Sequence, residues 1–242
     1  MKNVGSVDGS IKFPKHIEIE EKIPLNMDLL AFESMKIKSV ADISSGTKLP
    51  KELVLKGFIR SGDLSGVEKL TLVDIEALNG VVFPKNVLVT GTVGFHSYFE
   101  NIENVEYFGN VNFDNEFRNH PKHFKFADDV VVSGCLLSNF DFSDRENLTV
   151  HSLKKVEPGV KFPKKLEIKS TDYNIKSADF TDVEELTIKG GNFEGEDVKF
   201  AGHVKISSAE IDGCDFSKVD VLEIGEGVSI KGDIKLPEEM QR

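Results

Sequence analysis

The stretch that decides the fold is VKFPKKLEI, residues 160–168, followed by DFTDVEELTI, residues 179–188. Each phrase ends in two apolar residues with one residue between them, Leu166/Ile168 in the first and Leu186/Ile188 in the second. Side chains two residues apart in a strand point to the same face, so each pair predicts a short strand with one buried face. The Pro and the acidic residues that precede the pairs predict turns.

This apolar pair recurs from one end of the chain to the other, which is the signature of a repeat protein. Twelve copies occur, nearly all 17 to 20 residues apart, with one gap of 24 between Phe124 and Leu148. The copies are Ile17/Ile19, Met35/Ile37, Leu53/Leu55, Leu70/Leu72, Val87/Val89, Val105/Tyr107, Phe124/Phe126, Leu148/Val150, Leu166/Ile168, Leu186/Ile188, Val204/Ile206 and Leu222/Ile224. Copies preceded by a Phe-Pro phrase alternate with copies preceded by an apolar–acidic phrase.

The period of about 18 residues restricts what can connect the strands. A crossover that contains a helix needs roughly 10–12 residues beyond the strand and its turns, which this period does not leave. Two further apolar positions usually follow in each copy, which predicts three inward-pointing clusters per turn. The sequence therefore predicts an all-β parallel β-solenoid of about twelve coils, forming one elongated domain over residues 1–242.

Two segments depart from the regular pattern. The surplus at 127–147 predicts a long-coil insertion, either a bulging loop or a small extra strand pair, and insertions in solenoids often fall on a binding face. Residues 23–34 are the only segment with helix-like apolar spacing, which makes a short helix or 3₁₀ turn one alternative there.

The Leu-Pro and Phe-Pro openings, such as Leu49-Pro50 and Phe162-Pro163, resemble those of short bacterial leucine-rich repeats. The resemblance covers the whole chain and implies a binding scaffold in a bacterial effector or surface protein. Such repeats carry an asparagine five positions after the first leucine, and of the twelve equivalent positions only Asn110 fits. The missing asparagine ladder favours a closed, β-helix-like coil over a horseshoe.

Composition restricts the partners and the compartment. The net charge is -11, from 41 acidic and 30 basic residues, and the chain has four arginines and no tryptophan. This balance predicts neither nucleic acid nor an anionic membrane as a partner. No apolar run of eighteen residues and no signal-peptide core occur, so a cytosolic-type compartment is the default, with Cys135 and Cys214 reduced and buried.

No sequence motif points to catalysis. Nucleophile-elbow, P-loop and zinc-protease patterns are absent from the sequence, so we predict no enzyme activity, no cofactor and no metal site. The expected function is a non-catalytic scaffold for protein–protein interaction. The alternative is a carbohydrate-binding or polysaccharide-cleaving β-helix protein, for which the acidic cluster of Asp128, Asp129, Asp141 and Asp144 is suggestive. We interpret those four residues as turn residues.

The outward strand positions predict where a partner binds. Most of them are Lys, Glu, Thr or Ser, but five in the middle coils are apolar: Val54, Val73, Leu88, Phe108 and Ala127. If exposed, they form a stripe of the kind that marks protein-interaction sites. The alternative is that the 127–147 insertion folds back and buries them.

The ends of the array give a separate expectation. Solenoid ends expose unpaired strand edges unless they are capped, so we expect end-to-end self-association or a longer parent array.

Overall fold

A computed structural model of the chain describes residues 15–19, 28–38, 43, 47–77, 81–93, 102–113, 123–128, 130–171 and 173–238. The described residues form an all-β parallel solenoid of about ten turns, which confirms the predicted fold class. Each of the twelve predicted apolar pairs lies in a strand. The pairs therefore locate the strands correctly.

The described residues contain 21 strands. They are β1 His16–Ile19, β2 Ser34–Ile37, β3 Glu52–Ile59, β4 Gly62–Asp63, β5 Lys69–Ala77, β6 Val81–Val82, β7 Asn86–Val93, β8 Asn104–Phe113, β9 His123–Phe126, β10 Val131–Leu136, β11 Asn147–Val156, β12 Lys165–Thr171, β13 Asn174–Ile175, β14 Ala178–Asp179, β15 Glu185–Ile188, β16 Gly191–Glu194, β17 Val198–Lys199, β18 His203–Ile206, β19 Ala209–Asp212, β20 Val221–Ile224 and β21 Ser229–Lys231.

The chain divides into two compact units, one made of residues 1–89, 96–106 and 119–124 and the other of the remaining segments. In the first unit β1, β2, β3 and β5 lie side by side and pair in parallel. The apolar pairs are in register, so that Met35 lies between Ile17 and Leu53. A separate parallel pair joins β4 to β6.

The second unit has three parallel sheets. The first contains β8, β10, β11, β12, β15, β18 and β20 in that order. The second orders β13, β16, β19 and β21, and the third pairs β14 with β17. Three sheets per turn agree with the three inward-pointing clusters that the sequence predicts.

The core of the second unit is built from stacked copies of the same positions. Leu166, Ile168, Leu186 and Ile188 are buried, and each member of a pair lies beside its counterpart on the next strand. Phenylalanines fill the bends, with ring centroids 5.2 Å apart for Phe162–Phe180 and 4.3 Å apart for Phe200–Phe216. Burying one such side chain stabilises the fold by roughly 1.5–3 kcal/mol.

The two cysteines are free and buried, as predicted. Burial raises the pKa of the Cys214 thiol to about 11, so this thiol is protonated at neutral pH.

The 127–147 insertion is neither a bulging loop nor a strand pair. It supplies one extra strand, β10, which pairs in parallel with β8 on one side and with β11 on the other. Val132 lies beside both Val111 and Val150. The surplus residues thus extend the sheet, because their alternating apolar residues fit the same parallel ladder.

Of the alternative of a short helix or 3₁₀ turn at residues 23–34, the described residues 28–34 contain no helix but do contain a turn closed by an i to i+3 hydrogen bond. The Asp28 carboxylate accepts the Leu30 N–H at 3.1 Å, and the Phe32 N–H donates to the Leu29 carbonyl at 3.2 Å. This is a single turn before β2; residues 23–27 lie outside the described residues.

Candidate functional site

A recurring aspartate turn joins one coil to the next. Asp141 Oδ1 accepts the Ser143 N–H at 3.1 Å and the Ser143 hydroxyl at 2.6 Å, while Oδ2 accepts Lys161 Nζ at 2.7 Å. The Lys161 and Ser143 hydrogen bonds hold the pKa of the Asp141 carboxyl at about 2. The same ion pair, always 20 residues apart, recurs as Asp28–Lys48, Asp179–Lys199 and Asp215–Lys235.

A second ion pair joins the alternate junctions. In four of the Phe-Pro and Leu-Pro phrases, the lysine that follows the proline binds a glutamate of the next coil, as in Lys164–Glu184 at 2.7 Å. Equivalent pairs are Lys15–Glu33, Lys51–Glu68 and Lys85–Glu103. The ion pairs thus join a copy of one kind to a following copy of the other kind.

These contacts give a structural role to Asp141, one of the four residues of the acidic cluster. Asp141 is a turn residue with two hydrogen-bond partners, and a carboxyl with a pKa of about 2 is too acidic to act as a general acid near neutral pH. Asp128 and Asp144 are exposed, and Asp129 lies outside the described residues. The contacts of Asp141 fit the turn interpretation.

The outer face of the first unit carries a shallow groove of about 410 Å³ that crosses β1, β2, β3 and β5. Two parallel rows of outward side chains line it. One row is His16, Ser34, Glu52 and Lys69, and the other is Glu18, Lys36, Val54 and Thr71. In both rows neighbouring residues are register partners on adjacent strands.

Ion pairs and a hydrogen bond join the side chains at the β1–β2 end of the groove. Glu18 accepts Lys38 Nζ at 2.9 Å and Lys36 Nζ at 3.4 Å. The Lys38 hydrogen bond, followed by the charges of both lysines, lowers the pKa of the Glu18 carboxyl. His16 Nδ1 lies 2.6 Å from the Ser34 hydroxyl oxygen.

The centre of the groove contains an apolar side chain. Val54 is half-buried and lies between Lys36 and Thr71 in its row. An apolar side chain is thus framed by charged and hydroxyl groups. The sequence predicts Val54 as part of an interaction surface, but it does not predict the groove, whose shape depends on the side chains of four strands at once.

The predicted apolar stripe is partly exposed. Val54, Val73 and Leu88 belong to the first unit, and Phe108 and Ala127 belong to the second. All five side chains are half-buried. They are therefore neither fully covered nor fully open, and their use as an interaction surface stays a prediction.

Two other features bear on function. Among the described residues, no group of three or more His, Cys, Asp or Glu side chains could hold a metal ion. Within those same ranges no helix is long and apolar enough to cross a membrane. Comparison of the chain with protein-family models, with curated proteins and with solved structures gives no match.

Proposed function

We propose that this protein is a non-catalytic scaffold that binds a protein partner on the outer face of β1, β2, β3 and β5. The observation that carries the proposal is the groove across these strands, with half-buried Val54 between polar neighbours. An interface anchor of this kind supplies apolar contact, and the surrounding polar groups supply orientation.

The regular spacing of the groove suits a polypeptide partner. Adjacent strands lie roughly 4.8 Å apart, so each row presents side chains at that interval. Exposed Glu52 and Lys69 offer one group of each charge beside Val54. The likeness of the Phe-Pro openings to leucine-rich repeats supports a binding role, and we extend the proposal to a bacterial effector or surface protein.

Two further residues of the apolar stripe in the first unit, Val73 and Leu88, belong to the same proposal. Val73 is the register partner of Lys56, and Leu88 is a further half-buried apolar residue of the first unit. Phe108 and Ala127 are half-buried apolar residues of the second unit. Each large apolar member adds roughly 1–3 kcal/mol to binding when a partner buries it.

The test is affinity capture from a native or host lysate with a matched pair of variants. Val54→Glu places a carboxylate next to Lys36, a favourable neighbour, so the fold is retained. We expect capture to weaken at least about tenfold, since the apolar anchor is replaced by a charge. Lys218→Glu, on an exposed turn of the second unit, is the control and leaves capture unchanged. Equal capture by wild type and Val54→Glu contradicts the proposal.

A carbohydrate-binding role is the second candidate, and one observation favours it. Tyr173 is 58% exposed, and it precedes Asn174, whose amide belongs to a polar row with Asn192. An exposed aromatic ring beside amides is suited to stacking on a sugar. A glycan array probed with wild type and Tyr173→Ala tests it: binding that the substitution abolishes supports this candidate, and an array without signal removes it.

A further inference from the structure

One of the aspartate turns has no lysine beside its aspartate. In four turns, aspartate Oδ1 accepts a backbone N–H of the turn, and Oδ2 binds the ammonium group of a lysine on the next coil at 2.7 to 3.2 Å. These pairs are Asp28–Lys48, Asp141–Lys161, Asp179–Lys199 and Asp215–Lys235. A fifth turn has Asp63, and the residue in the lysine position is Val82.

The backbone at this fifth turn has the same arrangement as the others. Asp63 is the parallel partner of Val82, as Asp141 is of Lys161. The N–H of the residue after the aspartate donates to the carbonyl of that partner, at 2.7 Å in the Asp63 turn and at 2.9 Å in the Asp141 turn. A lysine at position 82 would therefore reach Asp63 Oδ2 as Lys161 reaches Asp141.

The Asp63 carboxylate is exposed and ionised. Its Oδ1 accepts the Ser65 N–H at 3.0 Å and the Ser65 hydroxyl at 2.6 Å, while no side chain in the described part of the chain binds Oδ2. The Ser65 hydrogen bonds lower the pKa of the carboxyl, which is therefore charged at neutral pH. Oδ2 thus remains able to accept a charge-assisted hydrogen bond from an ammonium group.

An exposed apolar surface lies next to this carboxylate. Val82 is 44% exposed, and Leu30, on the Asp28 turn of the same unit, is 57% exposed. The equivalent residues of the second unit are polar: Lys161, Lys199 and Lys235 for Val82, and Ser143, Thr181 and Ser217 for Leu30. The methylene groups of a lysine side chain pack on apolar surface of this kind while the ammonium group binds a carboxylate.

We propose that Asp63 and Val82 form a docking site for a lysine side chain of a partner polypeptide. The ammonium group binds Asp63 Oδ2, and the methylene groups pack on Val82. Lysine is the expected occupant because all four equivalent carboxylates bind lysine. Neither residue lines the groove, so this inference goes beyond the proposed function and does not depend on it.

Zero-length cross-linking with a carbodiimide tests this site, because the reagent joins a carboxylate to an amine that is in contact with it. The full chain is added to native or host lysate, cross-linked and analysed by mass spectrometry. We expect Asp63 to be joined to a lysine of a second protein. The Asp141–Lys161 and Asp179–Lys199 pairs, at 2.7 and 3.0 Å, should be joined within the chain and serve as references for the reaction.

Three variants show whether the link depends on the site. In Val82→Lys, the introduced lysine should be joined to Asp63 within the chain, and the link to the second protein should fall at least about tenfold, because a tethered ammonium group has a high effective concentration. Asp63→Asn keeps an oxygen that accepts the Ser65 N–H and should abolish the link. Asp179→Asn, the matched change at a turn with its own lysine, should leave the Asp63 link unchanged.

Two results would overturn the proposal at once: no link from Asp63 to a second protein, or a link that Val82→Lys leaves intact. A linked peptide whose sequence belongs to a second copy of this chain also overturns it and assigns the corner to self-association. Capture by the Val54→Glu variant concerns the groove alone, so failure at one surface can be told from failure at the other.

Discussion

Gly134 is the residue on which the inserted strand β10 depends most directly. Its φ is +86°, and an added Cβ would lie 1.9 Å from the Phe113 carbonyl oxygen of β8. Gly134→Ala therefore forces a backbone shift in the sheet and should destabilise the fold by about 2–4 kcal/mol. Chemical denaturation measures the loss. Gly66→Ala is the control, because no atom lies within 4 Å of its Cβ position; an equal effect of both substitutions would contradict this packing.

At the residue scale, the aspartate turns are a feature that was not predicted from the sequence. The sequence lacks the asparagine ladder of leucine-rich repeats, and nothing in that absence indicates what replaces it. The aspartate–lysine ion pairs that occur in its place are nevertheless recognisable in the sequence, because Asp141, Asp179 and Asp215 each precede a lysine by 20 residues. A search for paired charges at the coil period would have found it.

At the scale of elements, the edge of β9 is closed by a side chain. Arg145 donates hydrogen bonds to the backbone carbonyls of Phe126 and Ala127. It stands where the equivalent turns have Val67, Val183 and Val219, whose N–H groups make the same turn hydrogen bond. This arginine replaces the strand partner that β9 lacks on that side in the described part of the chain.

Replacement of Arg145 tests this role. Arg145→Val copies the other turns but leaves two backbone carbonyls without their donor, which should cost about 1.5–3 kcal/mol in the free energy of unfolding. Arg145→Lys keeps the charge without the forked geometry and should lose less. The measurement is denaturant unfolding of the three proteins side by side. A Val variant as stable as wild type would show that Arg145 does not hold this edge.

The elements themselves were predictable where the apolar alternation is regular. Pairs such as Leu53/Leu55 and Leu166/Ile168 locate β3 and β12 because period-two burial leaves few other structures. The sequence predicted the insertion but not the strand β10 that it forms. The spacing of the apolar pairs shows how many residues are inserted, and it does not show where those residues lie in the sheet. The groove escaped prediction for a related reason: it needs the mutual placement of side chains on separate strands.

At the scale of the whole molecule, the recurring ion pairs make stability depend on pH. The carboxyls of Glu18, Asp28, Asp179 and Asp215 have pKa values below their usual range, and that of Asp141 is about 2. Groups with a lowered folded-state pKa stabilise the fold above their unfolded pKa of about 4, and this contribution disappears as pH falls through the folded-state value. We therefore expect a nearly constant Tm between about pH 5 and 7 and a steep fall from about pH 4 towards pH 2.

Thermal unfolding followed by circular dichroism at a series of pH values measures this dependence. Asp141→Asn, which cannot ionise, should have a lower Tm at pH 7 and a smaller fall between pH 4 and 2 than wild type. A Tm of the wild type that stays the same from pH 5 to pH 2 would contradict the stabilising role of these pairs.

The central claim is that a protein partner binds the outer face of β1, β2, β3 and β5. Site-specific photo-crosslinking tests it most directly, with the photoreactive residue placed at Lys69 in the groove or at Lys218 on an exposed turn of the second unit. In native or host lysate, we predict one crosslinked protein partner from position 69 and none from position 218. A partner that crosslinks from position 218 and not from position 69 would contradict the claim.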